Sequence, residues 1–185
     1  MDPVFTLPYP EYAVANKLSA HFKRSSGYSI YIPISRQEKG VDLLLTKREL
    51  DANHSLTIQV KSSTTHSPKT PKSKENNPYN YYTWFNTFSV PKEADLFTLI
   101  ALYPPDLGRT RKKSSSWWSA VILVFLYEEM LEFINNVKTK SGKPDRMFGF
   151  GFDDLKEIVL TRGGERNNYS NYLLDNRIDM IRNLF

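Results

Sequence analysis

Apolar side chains recur at two periods along this chain. In the segment Pro10 to Phe22, Val14, Leu18 and Phe22 fall four residues apart, which puts them on one side of a helix, and the proline suits a first helical turn. From Val41 the period drops to two. Val41, Leu43 and Leu45 share one face of an extended segment, while Asp42, Leu44 and Thr46 share the other. Leu56 to Ser62 alternates in the same way, with Ile58 and Val60 on an apolar face and Thr57, Gln59 and Lys61 on a polar one. The intervening Lys47 to Ser55 is polar and turn-forming, so the two runs predict an antiparallel hairpin that sets Asp42 beside Gln59 and Lys61.

Further elements follow without internal repeats. Asn80 to Val90 is aromatic and β-prone, Asp95 to Tyr103 reads as a buried strand closed by Pro104-Pro105, and Trp117 to Phe125 reads as another. Glu128 to Lys138 predicts a helix with Met130, Leu131, Ile134 and Val137 on one side, ended by Ser141-Gly142-Lys143-Pro144. Met147 to Phe152 predicts a short strand, Ile158 to Thr161 an edge strand, and Asn171 to Leu184 a terminal helix. The alternation predicts an α/β sheet protein, and 185 residues suit a single domain over residues 1–185. The stretch from Lys61 to Pro78 reads as a loop, long for a compact domain and so either functional or mobile.

Composition narrows the classes more than it selects among them. With no cysteine, disulfide scaffolds, thiolate zinc sites and thiol nucleophiles are excluded. The segment Met1 to Thr6 lacks the basic and apolar regions of a signal peptide, and the longest apolar run, Ala120 to Tyr127, is far shorter than the roughly 20 residues of a membrane span. A cytoplasmic protein with no membrane partner is expected. The net charge of +5 is modest for a nucleic-acid binder, so position matters more than the sum. Lysines cluster between Lys61 and Lys74, at Lys69, Lys72 and Lys74, and Arg109, Arg111, Lys112 and Lys113 form a second cluster. Each cluster is either a solvated run or a set of phosphate contacts.

The chemistry that stands out is a carboxylate and a lysine brought onto neighbouring strands. Gly40-Val41-Asp42 is separated from Gln59-Val60-Lys61 by sixteen residues after the aspartate. Phosphodiester hydrolysis asks for a divalent cation, which neutralises developing charge and acidifies a water, and for a cationic or basic group near the attacking oxygen. Asp42, the amide oxygen of Gln59 and the carbonyl of Val60 suit Mg²⁺ or Mn²⁺, and Lys61 suits the second role. Glu11 offers a further carboxylate from the buried edge of the first helix, or else complements the helix dipole in its first turn. The aromatic run Tyr79, Tyr81, Tyr82, Trp84 and Phe85 either stacks on unpaired bases or packs the core. His21, His54 and His66 show no ligand spacing, and Asp153-Asp154 reads as turn or cap chemistry.

A helix with Glu11, a strand, a strand entered by Gly-x-Asp and a strand with Gln-x-Lys, together spanning residues 10 to 63, resembles the PD-(D/E)XK nuclease superfamily. The resemblance implies a restriction-endonuclease-like mixed β-sheet core flanked by helices. It implies that Asp42 is the metal ligand, that Gln59 stands where the family usually has an acid, that Lys61 is the catalytic lysine and that Glu11 is the helix carboxylate. Val41 replaces the name-giving proline, and the Gln-x-Lys version is most similar to the Mrr-like restriction enzymes. The implied activity is Mg²⁺-dependent (or Mn²⁺-dependent) endonucleolytic cleavage of DNA, with RNA as the other substrate open at this point. Cutting both strands in concert would call for a homodimer with two such sites. A relative that keeps the fold and a basic surface without cleaving is the alternative.

Overall fold

Helix α1 runs over Tyr9–His21, and the residues that bury are those the four-residue spacing selects: Val14 at 0 %, Leu18 at 1 % and Phe22, just past the helix, at 2 % exposure. The computed structural model describes residues 9–33, 40–50, 52–67, 78–103, 119–153 and 157–185. A 3₁₀ turn over Arg24–Ser26 ends at Gly27, whose φ of 84° lets the chain reverse into β1, Tyr28–Tyr31. Strands β2 (Leu43–Arg48) and β3 (Asn53–His66) form the expected antiparallel hairpin, with Leu43 opposite Ile58 and Arg48 opposite Asn53. Its connection is tighter than the polar run suggests. Lys47 and Arg48 complete β2, Asn53 to Ser55 begin β3, and the turn closes where the Glu49 N–H donates to the Ala52 carbonyl at 2.9 Å.

Strands β4 (Tyr81–Asn86), β5 (Leu96–Tyr103), β6 (Ser119–Leu126), β7 (Met147–Phe152) and β8 (Ile158–Arg162) follow, with α2 (Tyr127–Asn135) between β6 and β7 and α3 (Leu174–Arg182) near the end. The protein is thus a mixed α/β fold of eight strands and three helices among the described residues. One path of pairing runs β1-β2-β3-β4-β7-β8, and β5 lies on β3 with β6 beyond it. The β3–β5 ladder is parallel, Ile58 opposite Leu96 through Thr64 opposite Leu102, and the other named pairings are antiparallel. At 14 residues, β3 is long enough to pair with three strands, β2, β4 and β5. Its first half pairs with β2, and only Thr65 and His66 pair with β4.

Two cores result, one on each face of β5 and β6. Even-numbered residues of these strands, Leu96, Ile100, Ile122 and Val124, join Leu43, Leu45, Ile58 and Val60 under α1 and α3. Odd-numbered ones, Phe97, Leu99, Leu123 and Phe125, pack against Phe148, Phe150 and Phe152 of β7, Ile158 and Leu160 of β8, and Met130 and Phe133 of α2. Strands buried on both faces read as continuous apolar runs, which is why β5 and β6 were visible in the sequence. The aromatic run resolves as packing, since Tyr79, Tyr82 and Phe85 are buried. His66 lies against the Trp84 ring at 4.9 Å and His21 pairs with Asp175.

One difference from the sequence reading matters for the site. Lys61 to His66 continues β3 rather than opening a loop, because Thr64 and Thr65 suit a strand, β5 supplies a ladder as far as Thr64, and β4 pairs with Thr65 and His66. Trp117, Trp118 and Asp154 lie outside the described residues. Among the described residues no helix is long and apolar enough to cross a membrane.

Leu18 is the central contact of α1 with the sheet, so Leu18→Ala should lower stability by about 2–5 kcal/mol. In urea unfolding this appears as a lower midpoint with an unchanged slope; a midpoint shift worth under about 1 kcal/mol would mean that α1 is not docked as described.

Candidate active site

β2 ends its pairing with β3 at Leu43, and what comes next in the chain direction is a side chain in place of a strand. The Asp42 Oδ2 accepts the Val60 N–H at 2.7 Å, while the Asp42 N–H donates to the Ile58 carbonyl at 2.9 Å. Asp42 therefore closes the ladder with its carboxylate. A strand residue directs its N–H and C=O to the same edge, so the Val60 carbonyl points toward the edge where the Asp42 carboxylate sits. Carrying the register one step past Leu43 and Ile58 sets Asp42 opposite Gln59.

Gln59 and Lys61 lie on the face opposite Ile58 and Val60, as the two-residue period requires. This face is covered. Gln59 is only 6 % exposed, and its Oε1 is buried with no hydrogen-bond partner among the described residues. Three contacts explain the cover. Gln59 is in register with Phe97 on β5, Phe88 stacks on Phe97 with centroids 6.5 Å apart, and the Lys61 Nζ lies 5.2 Å from the centre of the Phe88 ring. The connection that carries Phe88 is pinned further along. Thr57 donates its N–H to Asp95 Oδ2 at 2.8 Å and its hydroxyl to the Glu93 carbonyl at 2.6 Å.

Gly40 completes the arrangement. Its φ is 87°, and a Cβ built there would fall 2.6 Å from Pro91 Cγ and 3.6 Å from Gln59 Nε2. Only glycine permits Pro91 to lie against the chain that leads into Asp42. The sequence showed Gly40 and Pro91 but no signal that they touch, and Phe88 was legible only as part of an aromatic strand.

The structure thus brings Gly40, Asp42, Gln59 and Val60 together, with Lys61 two residues further along the Gln59 face. Glu11 is in the first turn of α1, with its Oε2 shielded from solvent. Because α1 packs on the Ile58 and Val60 face, Glu11 belongs to the layer opposite Gln59 and Lys61. Asp42, bonded within the plane of the sheet, stands between these layers. Lys69, Lys72 and Lys74, and Arg109, Arg111, Lys112 and Lys113, lie outside the described residues. Two open grooves, of about 970 and 660 Å³, are not lined by these side chains.

Chemically, the donors at the split edge are oxygens: a carboxylate, an amide carbonyl and a backbone carbonyl. Oxygen donors suit a hard divalent cation. A buried amide oxygen left without a partner costs about 1–3 kcal/mol, so the Gln59 Oε1 is a position where a ligand gains most. The described residues hold no group of three His, Cys, Asp or Glu side chains placed to bind a metal, so any cation here relies on Gln59 and main-chain oxygen as well as on carboxylate. Comparison with protein-family models, curated proteins and solved structures finds no match.

Asp42 has a structural task that strand alternation alone does not reveal, and substitution separates it from chemistry. Asp42→Asn keeps an oxygen for the Val60 N–H and should unfold within about 0.5 kcal/mol of the parent, whereas Asp42→Ala leaves that N–H unmet and should lose about 1–3 kcal/mol. Equal stabilities of the two variants in denaturant titration would show that the Val60 bond carries no weight.

Proposed function

We propose that the chain is a metal-dependent endonuclease that hydrolyses DNA phosphodiester bonds, of the PD-(D/E)XK type with a Gln-x-Lys strand. The observation that carries this reading is the buried Gln59 Oε1, without a partner among the described residues, beside a carboxylate fixed on the Val60 N–H, with Lys61 on the Gln59 face. The order of elements agrees with the resemblance: a helix bearing Glu11, then β1, then β2 entered from Asp42, then β3 with Gln59 and Lys61.

Asp42, Gln59 and the Val60 carbonyl would hold Mg²⁺ or Mn²⁺, whereas Glu11, expected to add a carboxylate, starts from the layer on the other side of the sheet from Gln59. The cation supplies charge neutralisation at the scissile phosphate and a more acidic bound water. Lys61 orients the attacking water and offsets charge on the phosphate, held meanwhile over the Phe88 ring. Gln59 is neutral where an acid would bind more strongly, so the site is expected to have modest metal affinity. The two basic clusters, Lys69 to Lys74 and Arg109 to Lys113, supply phosphate contacts in this reading. A non-cleaving nucleic-acid-binding module is the second reading. It is favoured by the use of Asp42 Oδ2 in the ladder and by the lack of a three-acid group among the described residues.

Incubating the purified protein with plasmid, linear duplex and single-stranded DNA in Mg²⁺ or Mn²⁺ tests this directly. Asp42→Asn, which should fold like the parent, and Lys61→Ala should each reduce cleavage by at least 100-fold, on the order of what a general acid–base group contributes. Gln59→Glu should keep or raise activity and metal affinity. No cleavage by the parent under any of these conditions, with DNA binding intact, leaves the non-cleaving module.

Concerted double-strand cutting needs two copies of the site, so a two-fold dimer on DNA belongs to the proposal. Sedimentation of the DNA complex should give two chains per site; a monomer yielding only nicked plasmid removes the dimer and leaves the single site.

A further inference from the structure

The polar face that carries Asp42 and Gln59 does not end there. Register places Ser29, Thr46 and Ser55 on one rung across β1, β2 and β3, and Tyr31, Leu44 and Thr57 on the next rung toward Asp42. These lie opposite the face on which Leu45 and Leu56 bury under α1. Beyond them, at the hairpin end, Arg48 pairs with Asn53. From Arg48 back to Asp42 is six residues of extended chain, about 20 Å.

The second core, which covers this face over β5 and β6, does not extend over β1 and β2. An open groove of about 970 Å³ lies along these strands. Among the described residues its lining includes Arg24 and Arg48 and no aspartate or glutamate. Neither arginine forms an ion pair with another described residue, and the neighbouring acid Glu49 is taken by Lys47 at 2.8 Å. In the same groove the Tyr31 ring is 56 % exposed on a strand at the edge of the sheet.

We propose that this face is a track for single-stranded DNA, leading its phosphodiester backbone along β2 to Asp42. The proposal rests on the nuclease reading and specifies its substrate as an unpaired strand. Two arginines with no ion-pair partner among the described residues match phosphate, the hydroxyl rungs offer hydrogen bonds to sugar and phosphate oxygens, and an exposed tyrosine offers a platform for a base whose face is free. In a duplex that base face is stacked on its neighbours, so Tyr31 discriminates in favour of the unpaired strand.

The test is fluorescence anisotropy with a labelled 20-nucleotide oligothymidylate and with a duplex of the same length, in EDTA and at 50 to 200 mM salt. Tyr31→Ala should weaken oligothymidylate binding about 5- to 150-fold and leave duplex binding unchanged, while Tyr31→Phe binds like the parent. Arg24→Ala and Arg48→Ala should each lower the salt slope by about 0.7. Parent-like binding by Tyr31→Ala and Arg48→Ala overturns the track, as does equal binding of a polyglutamate peptide, which would mark a general anion surface. The two readings fail separately. If these variants bind like the parent but DNA is cleaved in Mg²⁺, the track is wrong and the nuclease stands; if binding responds as described but no divalent cation supports cleavage, the nuclease reading falls.

Discussion

Everything at the candidate site depends on one strand having too much edge for one partner. β3 is 14 residues long; its pairing with β2 ends at Ile58, and β4 joins it only at Thr65. Buried main-chain donors must be paired, so the interval begins with a substitute: the Asp42 carboxylate takes the Val60 N–H. The same divergence that lets β4, β7 and β8 fold over β5 and β6 also opens a seam at Gln59 to Thr64. The candidate site and the fold share a cause here. A sheet that divides between two layers exposes main-chain and side-chain oxygens at the point of division.

Burial then gives the seam its chemical character. Gln59 would be unremarkable on an open sheet, where water meets its amide. Under Phe88, Pro91 and Phe97 it loses that water, and Oε1 is left without a described partner. Lys61 is treated differently. It remains partly exposed, and its ammonium rests over the Phe88 ring, a contact compatible with a charged group near solvent. One aromatic residue thus helps dry the amide and holds the lysine.

How much of this could be read from the chain follows from the range of each interaction. The spacing of Val14, Leu18 and Phe22 announces a buried helix face, and the alternation through Asp42 and Lys61 announces which side chains share a face, because both are properties of a single element. Apolar runs such as Leu96 to Tyr103 declare strands covered on both sides. The extension of β3 from Ser63 to His66 was not legible, since a polar, hydroxyl-rich run reads as loop until a neighbouring strand is known to accompany it. Nor was the cover over Gln59. It depends on Phe88 and Pro91, some thirty residues downstream, and on a glycine whose positive φ is set by tertiary contact. The role of Asp42 in closing the ladder escaped for the same reason: alternation assigns it a face but not the end of its strand.

The bonds that pin the cover join Thr57 to Asp95, 38 residues apart in the chain. Contacts of that span close late, because the entropy of a long loop is lost before the ladder that rewards it has formed. The β2–β3 hairpin needs only a short turn and forms from local contacts. On that order of events the Asp42 to Lys61 face is expected to form first as a bare, hydrated hairpin surface, and its amide is expected to lose water only once the chain through Phe88, Pro91 and Asp95 has closed over it.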